Sequence, residues 1–307
     1  MARRLTGARA DSTARRALYM WIRRVLRHVL AIGITLFVGG LLAATLVRFA
    51  PGFGVDEREL DPRFREESLR ALREAQAGEG NIIQFYGRYL SGALRGDLGV
   101  SRSLNRPVSG LIAERFPVTL RSIGLSLAGA WLIALLLALP GAMSRSPVYD
   151  AMASVLSGMF LCLPAAALAL LLLWAGGTVP LVIALVVFPK LFRYMRNLLG
   201  KTYSAPHVLA ARAKGIGSTR ILLWHVIPFA GPELLALVGV SVSMALGATI
   251  PVEVICDSPG IGQLAWRSVL GRDLPLLVNL TVLVAALTMA ANSASDLAIH
   301  AFAPRSS

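Results

Sequence analysis

The residues of this 307-residue chain that could do covalent or metal chemistry are few: four histidines, two cysteines and some scattered carboxylates. His28, His207, His225 and His300 sit at or beyond the ends of apolar runs, far from one another in sequence. Cys162 and Cys256 are too few for a disulfide scaffold or a zinc site, and Cys162, inside an apolar run, reads as a small core residue. Gly200-Lys201-Thr202 has the ending of a phosphate-binding loop, but Met195 stands where the leading Gly is required and no strand precedes it. Neither a nucleophile–base pair nor a metal cluster is legible. No catalytic residue, metal or cofactor is therefore expected of this chain.

One segment has a more specific pattern. Pro206 to Lys214 predicts a short helix, about 13 Å long at 1.5 Å per residue, with Ser204 near its start. Gly215 stands where a left-handed residue closes a helix. Arg212 and Lys214 fall in the last turn, where the helix dipole favours cations. Ala205, Ala210, Ala211 and Ala213 keep its sides small. Gly217-Ser218 then opens a second helix, Thr219 to Ile227, which Pro228 ends or kinks. The first helix is too polar to span a membrane. It either lies on a membrane surface or docks into a groove on another protein.

The elements around this segment are apolar. Hydrophobic residues make up 55% of the chain, charged residues 16%, and mean hydropathy is +0.64, against roughly 25% charge in soluble domains. Runs of about 20 uncharged residues can cross a bilayer. They are Val29–Val47, Ser122–Ser144, a run from Ala151 that ends at Trp174, a short one from Leu181 that must continue through Phe192, Tyr194 and Met195, Leu234–Val252 and Leu274–Ser295. Gly176-Gly177-Thr178-Val179-Pro180 separates the third from the fourth. The expectation is an all-α integral membrane protein of six spans. In the fourth, Lys190, Arg193 and Arg196 recur every third residue and could share one face, snorkelling to the interface.

The net charge of +14 is not a nucleic-acid signature, because it is concentrated beside these runs. Residues 1–28 carry eight Arg and one Asp, and residues 190–228 carry seven Lys or Arg and no acid. Loops of this composition stay in the cytoplasm. Both basic segments agree with one topology, in which the two termini are cytoplasmic and segment 51–117, with ten Arg and ten acids, lies outside. The chain divides into a basic tail over 1–28, a spanning domain over 29–300 with outer loop 51–117 and cytoplasmic loop 190–228, and a short tail over 301–307. In the outer loop Asp61-Pro62 starts one amphipathic helix, Ile82 to Leu94 suits a second, and Gly96-Asp97-Leu98-Gly99 is a turn.

Ala210-Ala211-Arg212-Ala213-Lys214-Gly215, with His225 ten residues after the Gly and Pro228 thirteen after it, resembles the coupling loop of ABC-type importer permeases. The variant is similar to that of the oligopeptide, dipeptide and nickel permease branch. Three further stretches match the branch in order. They are Gly96 to Ser101, then Arg106-Pro107-Val108 through Arg115-Phe116-Pro117-Val118-Thr119-Leu120, then Val252-Glu253 through Pro259-Gly260-Ile261-Gly262 to Arg272-Asp273-Leu274-Pro275. The resemblance covers about residues 20–300 and, from the long first outer loop, points to the first of two permease subunits. It implies the type I importer fold in a bacterial inner membrane. It also implies a second homologous permease, two cytoplasmic ATP-binding subunits docking at Ala210 to Gly215, and an extracytoplasmic substrate-binding protein. Leu209 replaces the motif's usual Glu, Cys256 a usual Phe, and Pro51-Gly52-Phe53-Gly54 a usual Pro-Gly-Asp-Pro.

Polar residues at the spans have two readings each. Glu253, Asp257, Pro259 and Gly260, just outside span five, suit an outer gate or a binding-protein contact, or else a solvated turn. Glu233, after Pro232, suits the first turn of span five, where a carboxylate complements the helix dipole. His225 could orient the coupling loop by a hydrogen bond or be a satisfied interfacial histidine. Asn279 and Asn292 suit bridges between helices or a pore role. The rival classes are a secondary transporter, which would show intramembrane ion-binding carboxylates and inverted repeats, and an integral-membrane enzyme, which needs a nucleophile and base within the spans.

Overall fold

The computed structural model describes residues 95–302 apart from 145, helix 29–42, and scattered positions between 23 and 93. Everything described is helix or short connection, apart from an isolated antiparallel bridge between Val100 and Pro107. The expected amphipathic helix after Asp61 and the basic tail before residue 23 lie outside the described residues, and of the stretch from Ile82 to Leu94 only Gly87, Tyr89 and 91–93 are described, all helical.

Helix α1 is Val29–Leu42. Helix α2 is Val108–Ser144. It begins well before Ser122, so residues 108–117 of the segment 51–117 are helical. Pro117 and Pro140 lie within it, which a helix packed among others tolerates when neighbours re-satisfy the freed carbonyls.

The third apolar run is not one rod. It forms α3, Pro147–Cys162, and α4, Ala165–Trp174, bent by 96°. The break is at Leu163-Pro164, because the residue before proline is driven out of the helical region, and Leu163 is extended at φ −81°, ψ 123°. The expected break at Gly176-Gly177 exists too. Gly176 has φ +76° and the Gly177 amide donates to the Leu172 carbonyl at 2.7 Å. Cys162 falls at the α3–α4 bend and is exposed, so it is not a core residue.

Helix α5, Val179–Tyr203, runs straight through Lys190, Arg193 and Arg196. Residues 190–203 therefore belong to a helix, and the loop proper begins at Ser204. Helix α5 packs against α2, α3 and the later helices through Ile183, Val187, Phe188, Leu191, Phe192 and Met195, all buried. Helix α6 is Pro206–Ala213 and α7 is Ser218–Ile221. A π-helical turn, Leu222–Val226, leads directly into α8, Ile227–Ile255. Pro228 thus kinks the chain without ending the helix. It has no N–H for the Trp224 carbonyl and its ring would clash there, so the turn widens and the Ile227 amide donates to Leu222 instead. Since α8 starts at Ile227, Glu233 is inside the helix and exposed, not in its first turn. Helix α9 is Ile261–Leu270 and α10 is Leu274–Phe302.

Among the described residues three helices are long and apolar enough to cross a membrane: α2, the α7–α8 rod from Ser218 to Ile255, and α10; the α3–α4 pair has the length and composition for a fourth if its bent halves count as one span. Polar contacts pin these rods where proline or burial frees a group. Trp131 Nε1 donates to Ser241 Oγ at 3.1 Å, Ser157 Oγ to the Pro189 carbonyl at 3.2 Å, and Asn292 Nδ2 to Ser243 Oγ at 3.3 Å. Asn292 is the expected helix bridge. Asn279 instead ties α10 to the loop before α2, donating to the Leu98 carbonyl at 3.0 Å.

Candidate functional site

At one end of the bundle α6 is presented on a short platform. Val208 and Ala211 are buried beneath it, while His207, Leu209, Ala210, Ala213, Lys214 and Gly215 face outward. Its N-terminus starts at Pro206, whose missing N–H is no loss in a first turn. Ala205 is the N-cap and makes no side-chain bond; Ser204, which the sequence placed near the start, donates its hydroxyl back to the Gly200 carbonyl at 3.0 Å. The C-terminus closes as the sequence requires. Gly215 is left-handed at φ +74°. Its amide donates to Arg212 at 2.9 Å and that of Ile216 reaches back to Ala211 at 3.2 Å, the paired bonds of a glycine-closed helix end. Ile216 packs on the core beneath.

Three contacts fix the orientation of α6. The Arg212 guanidinium lies 5.5 Å from the centre of the Tyr203 ring at the end of α5, within cation–π range. His207 Nε2 lies 3.3 Å from the His225 carbonyl oxygen, and the His207 ring stands 4.7 Å from that of Phe229. The tie between α6 and the π turn therefore comes from His207 to the backbone of His225. The ring of His225 does not make it: its Nδ1 is buried without a hydrogen-bond partner among the described residues. The result is a small convex face with one leucine (Leu209, 47% exposed) and one cation, flanked by Leu223 and Trp224, which is 73% exposed. Such a face suits insertion into a complementary groove.

At the opposite end, Glu253 and Gly260 are buried whereas Asp257 and Pro259 are exposed. Glu253 is inside α8, not beyond it, and is 0% exposed, so it is not part of a solvated turn, whereas Asp257 and Pro259 stand in one. Its carboxylate accepts from Thr119 Oγ1 of α2 at 2.7 Å and from the Gly262 amide at 2.7 Å, while Thr119 Oγ1 accepts from the Ile261 amide at 2.8 Å. The first turn of α9 is thus capped by side chains from two other helices. A Cβ on Gly260 would come within 2.2 Å of the carboxylate, and one on Gly262 within 2.7 Å of Ile250 Cα. Asp257 has φ +46° and accepts from Gln263 Nε2 at 2.5 Å. Burial at the α8 C-cap pushes the Cys256 thiol above its usual range.

Two carboxylates went unrecognised in the sequence. Asp273 is fully buried; it accepts from Ser101 Oγ at 2.6 Å and from Ser103 Oγ at 2.8 Å, and caps α10 through the Leu276 amide at 3.1 Å. Asp273-Leu274-Pro275 before an apolar run is a readable helix start, but its partners lie 172 and 170 residues away. Asp150 forms a two-pronged pair with Arg196, joining α3 to α5. Arg196 therefore turns away from the face it was expected to share with Lys190 and Arg193.

A bundle of apolar rods with a short basic helix exposed at one end has the form of a membrane transport subunit. The chain belongs to the family of binding-protein-dependent transport system inner membrane components, which it matches over residues 117–307. It is 28% identical to a putative peptide permease protein of Brucella suis, over 91% of this chain and 97% of that one. It is 26% identical to the glutathione transport system permease protein GsiC of Escherichia coli K12, over 82% of this chain and 88% of that one.

Proposed function

We propose that this chain is one half of the translocation pore of an ATP-driven importer for peptides or a similar small solute, coupled to cytoplasmic ATPases through α6. The surface geometry of α6 carries this reading: a glycine-closed, small-sided basic helix held by only a few contacts to the bundle. The peptide and glutathione permeases among its relatives support the solute class. Two ATP-binding subunits would receive Leu209, Ala210, Ala213, Lys214 and Gly215 in a cleft. Their closure on ATP would move α6 and, through His207 and the π turn before Pro228, the long rod α8. A rigid-body change of this kind alternates the pore between its two sides.

In this reading the chain makes six spans, α1, α2, α3–α4, α5, α8 and α10, with both termini and α6 in the cytoplasm. The Glu253–Thr119–α9 cluster then lies outside, as a gate or a contact for the binding protein. A second homologous permease completes the pore. The test is to co-purify the complex and measure which compounds raise its ATPase rate. Stimulation by a peptide-like solute is expected; a complex with no associated ATPase would overturn the assignment.

A further inference from the structure

We infer that the exposed face of α5 bearing Lys190, Arg193 and Asn197 lines the aqueous path and takes the negatively charged group of an anionic solute, a carboxylate above all. Helix α5 is otherwise deeply packed: Pro189, Leu191, Phe192 and Met195 are buried on either side of this strip. Lys190, Arg193, Tyr194 and Asn197 are all exposed and follow the spacing that puts residues on one helix face.

The depth of the strip is set by its neighbours. The Arg196–Asp150 pair marks the level at which α3 begins. Lys190 is six residues further along α5, about 9 Å deeper at 1.5 Å per residue. At that level Ser157, in the middle of the apolar α3, donates to the Pro189 carbonyl, and Phe160 stands edge-on to Phe188 at 5.3 Å. The two residues that precede Lys190 thus contact the apolar part of α3, beyond its polar start.

Two like charges three residues apart on a helix repel. Among the described residues neither Lys190 nor Arg193 pairs with a carboxylate; Asp150 on α3 is held by Arg196, and Glu233 on α8 forms no ion pair. Ionisable groups at such depth face a bundle interior or a water-filled cavity rather than lipid. The contrast with α3 supports this, for its exposed Val148, Met152, Val155 and Met159 form a wholly apolar face. A guanidinium, an ammonium and an amide converging on one water-filled strip favour a carboxylate. The inference rests on the pore reading above and adds which surface of this chain bounds the pore, and the charge it selects.

The experiment uses the assembled complex in native membranes, with Cys162→Ser and Cys256→Ser as background. Single cysteines are introduced as Lys190→Cys, Arg193→Cys, Asn197→Cys, Val155→Cys and Met159→Cys. Water-soluble methanethiosulfonates should modify the first three and spare the last two. At Asn197→Cys the anionic sulfonate reagent should react more than tenfold faster, relative to its reaction with a free thiol, than the cationic trimethylammonium reagent. Adding Lys190→Gln and Arg193→Gln should abolish that preference. Equal protection of positions 190 and 155 from both water-soluble reagents, with labelling by an apolar maleimide, would place the strip in lipid and overturn the inference. Absence of charge preference at position 197 would overturn the anion selectivity. Neither readout depends on ATPase docking, so loss of coupling at α6 is scored separately by pull-down of the ATPases.

Discussion

Gly215 holds a backbone conformation that a side chain resists, and its surroundings within this chain are open. A Cβ there would meet nothing within 4 Å, but φ is +74°. The cost of Gly215→Ala is therefore backbone strain alone, about 1 kcal/mol. Gly215→Asp adds a negative charge at the negative end of α6, a further several tenths of a kcal/mol, and obstructs any cleft that receives the helix. Expected outcomes are normal membrane levels for both variants, loss of uptake and of ATPase recovery for Asp, and a milder defect for Ala. Normal uptake with Asp would remove α6 from the coupling path. Glu253 answers to a different force. Glu253→Ala leaves the Gly262 amide and the Thr119 hydroxyl buried and unpaired, at roughly 1–3 kcal/mol each. Thermal unfolding of the purified protein in detergent should show a clear loss for Ala and a smaller one for Gln, which keeps one acceptor. Gly260→Ala should be at least as damaging, because its Cβ would sit 2.2 Å from the carboxylate; an unchanged midpoint would refute the packing described.

The element on which transmission turns is the π segment. Its extra residue exists because Pro228 cannot donate, and Pro228→Ala restores the missing N–H. The turn should then tighten to an ordinary α-helix, rotating the His225 carbonyl away from His207 and loosening α6 from α8. Basal ATPase in the complex should persist while stimulation by transported solute falls severalfold. Unchanged stimulation would mean that the π turn is not needed for coupling. His207→Ala, which breaks the same contact without touching the rod, should give the same direction of effect, and a difference between the two variants would assign the remainder to the rod's own kink.

For the molecule as a whole, the reading is one of sidedness and division of labour. In a cysteine-free background, cysteines at positions 201 and 214 should be protected from an impermeant reagent added outside intact cells, and one at position 75 should be labelled; the reverse pattern would invert the topology. The isolated chain should show no ATP turnover when freed of partner subunits, because its Gly200-Lys201-Thr202 is part of a continuous helix and not a phosphate cradle. Lys201→Ala should accordingly leave the ATPase rate of the complex unchanged.

The sequence by itself determined what depends on neighbours along the chain. The α6 helix, its proline start and its left-handed glycine, and the stop at Gly176-Gly177, are all local backbone preferences. So are the apolar runs that become α2, α8 and α10, since twenty residues without charge need no partner to reveal their solvent. Prolines inside apolar runs obey rules that compete. Pro164, inside an uninterrupted apolar run, breaks the helix because Leu163 before it is extended, whereas Pro228 merely widens a turn, because the Ile227 amide donates to Leu222 and the helix continues. Tertiary structure alone decided the fate of the carboxylates. Glu253 and Asp273 read as polar punctuation near span ends, yet each is buried against groups more than 130 residues away in sequence. A buried charge is tolerable only where hydrogen bonds replace its water, and those donors come from segments that the fold, not the chain order, brings together.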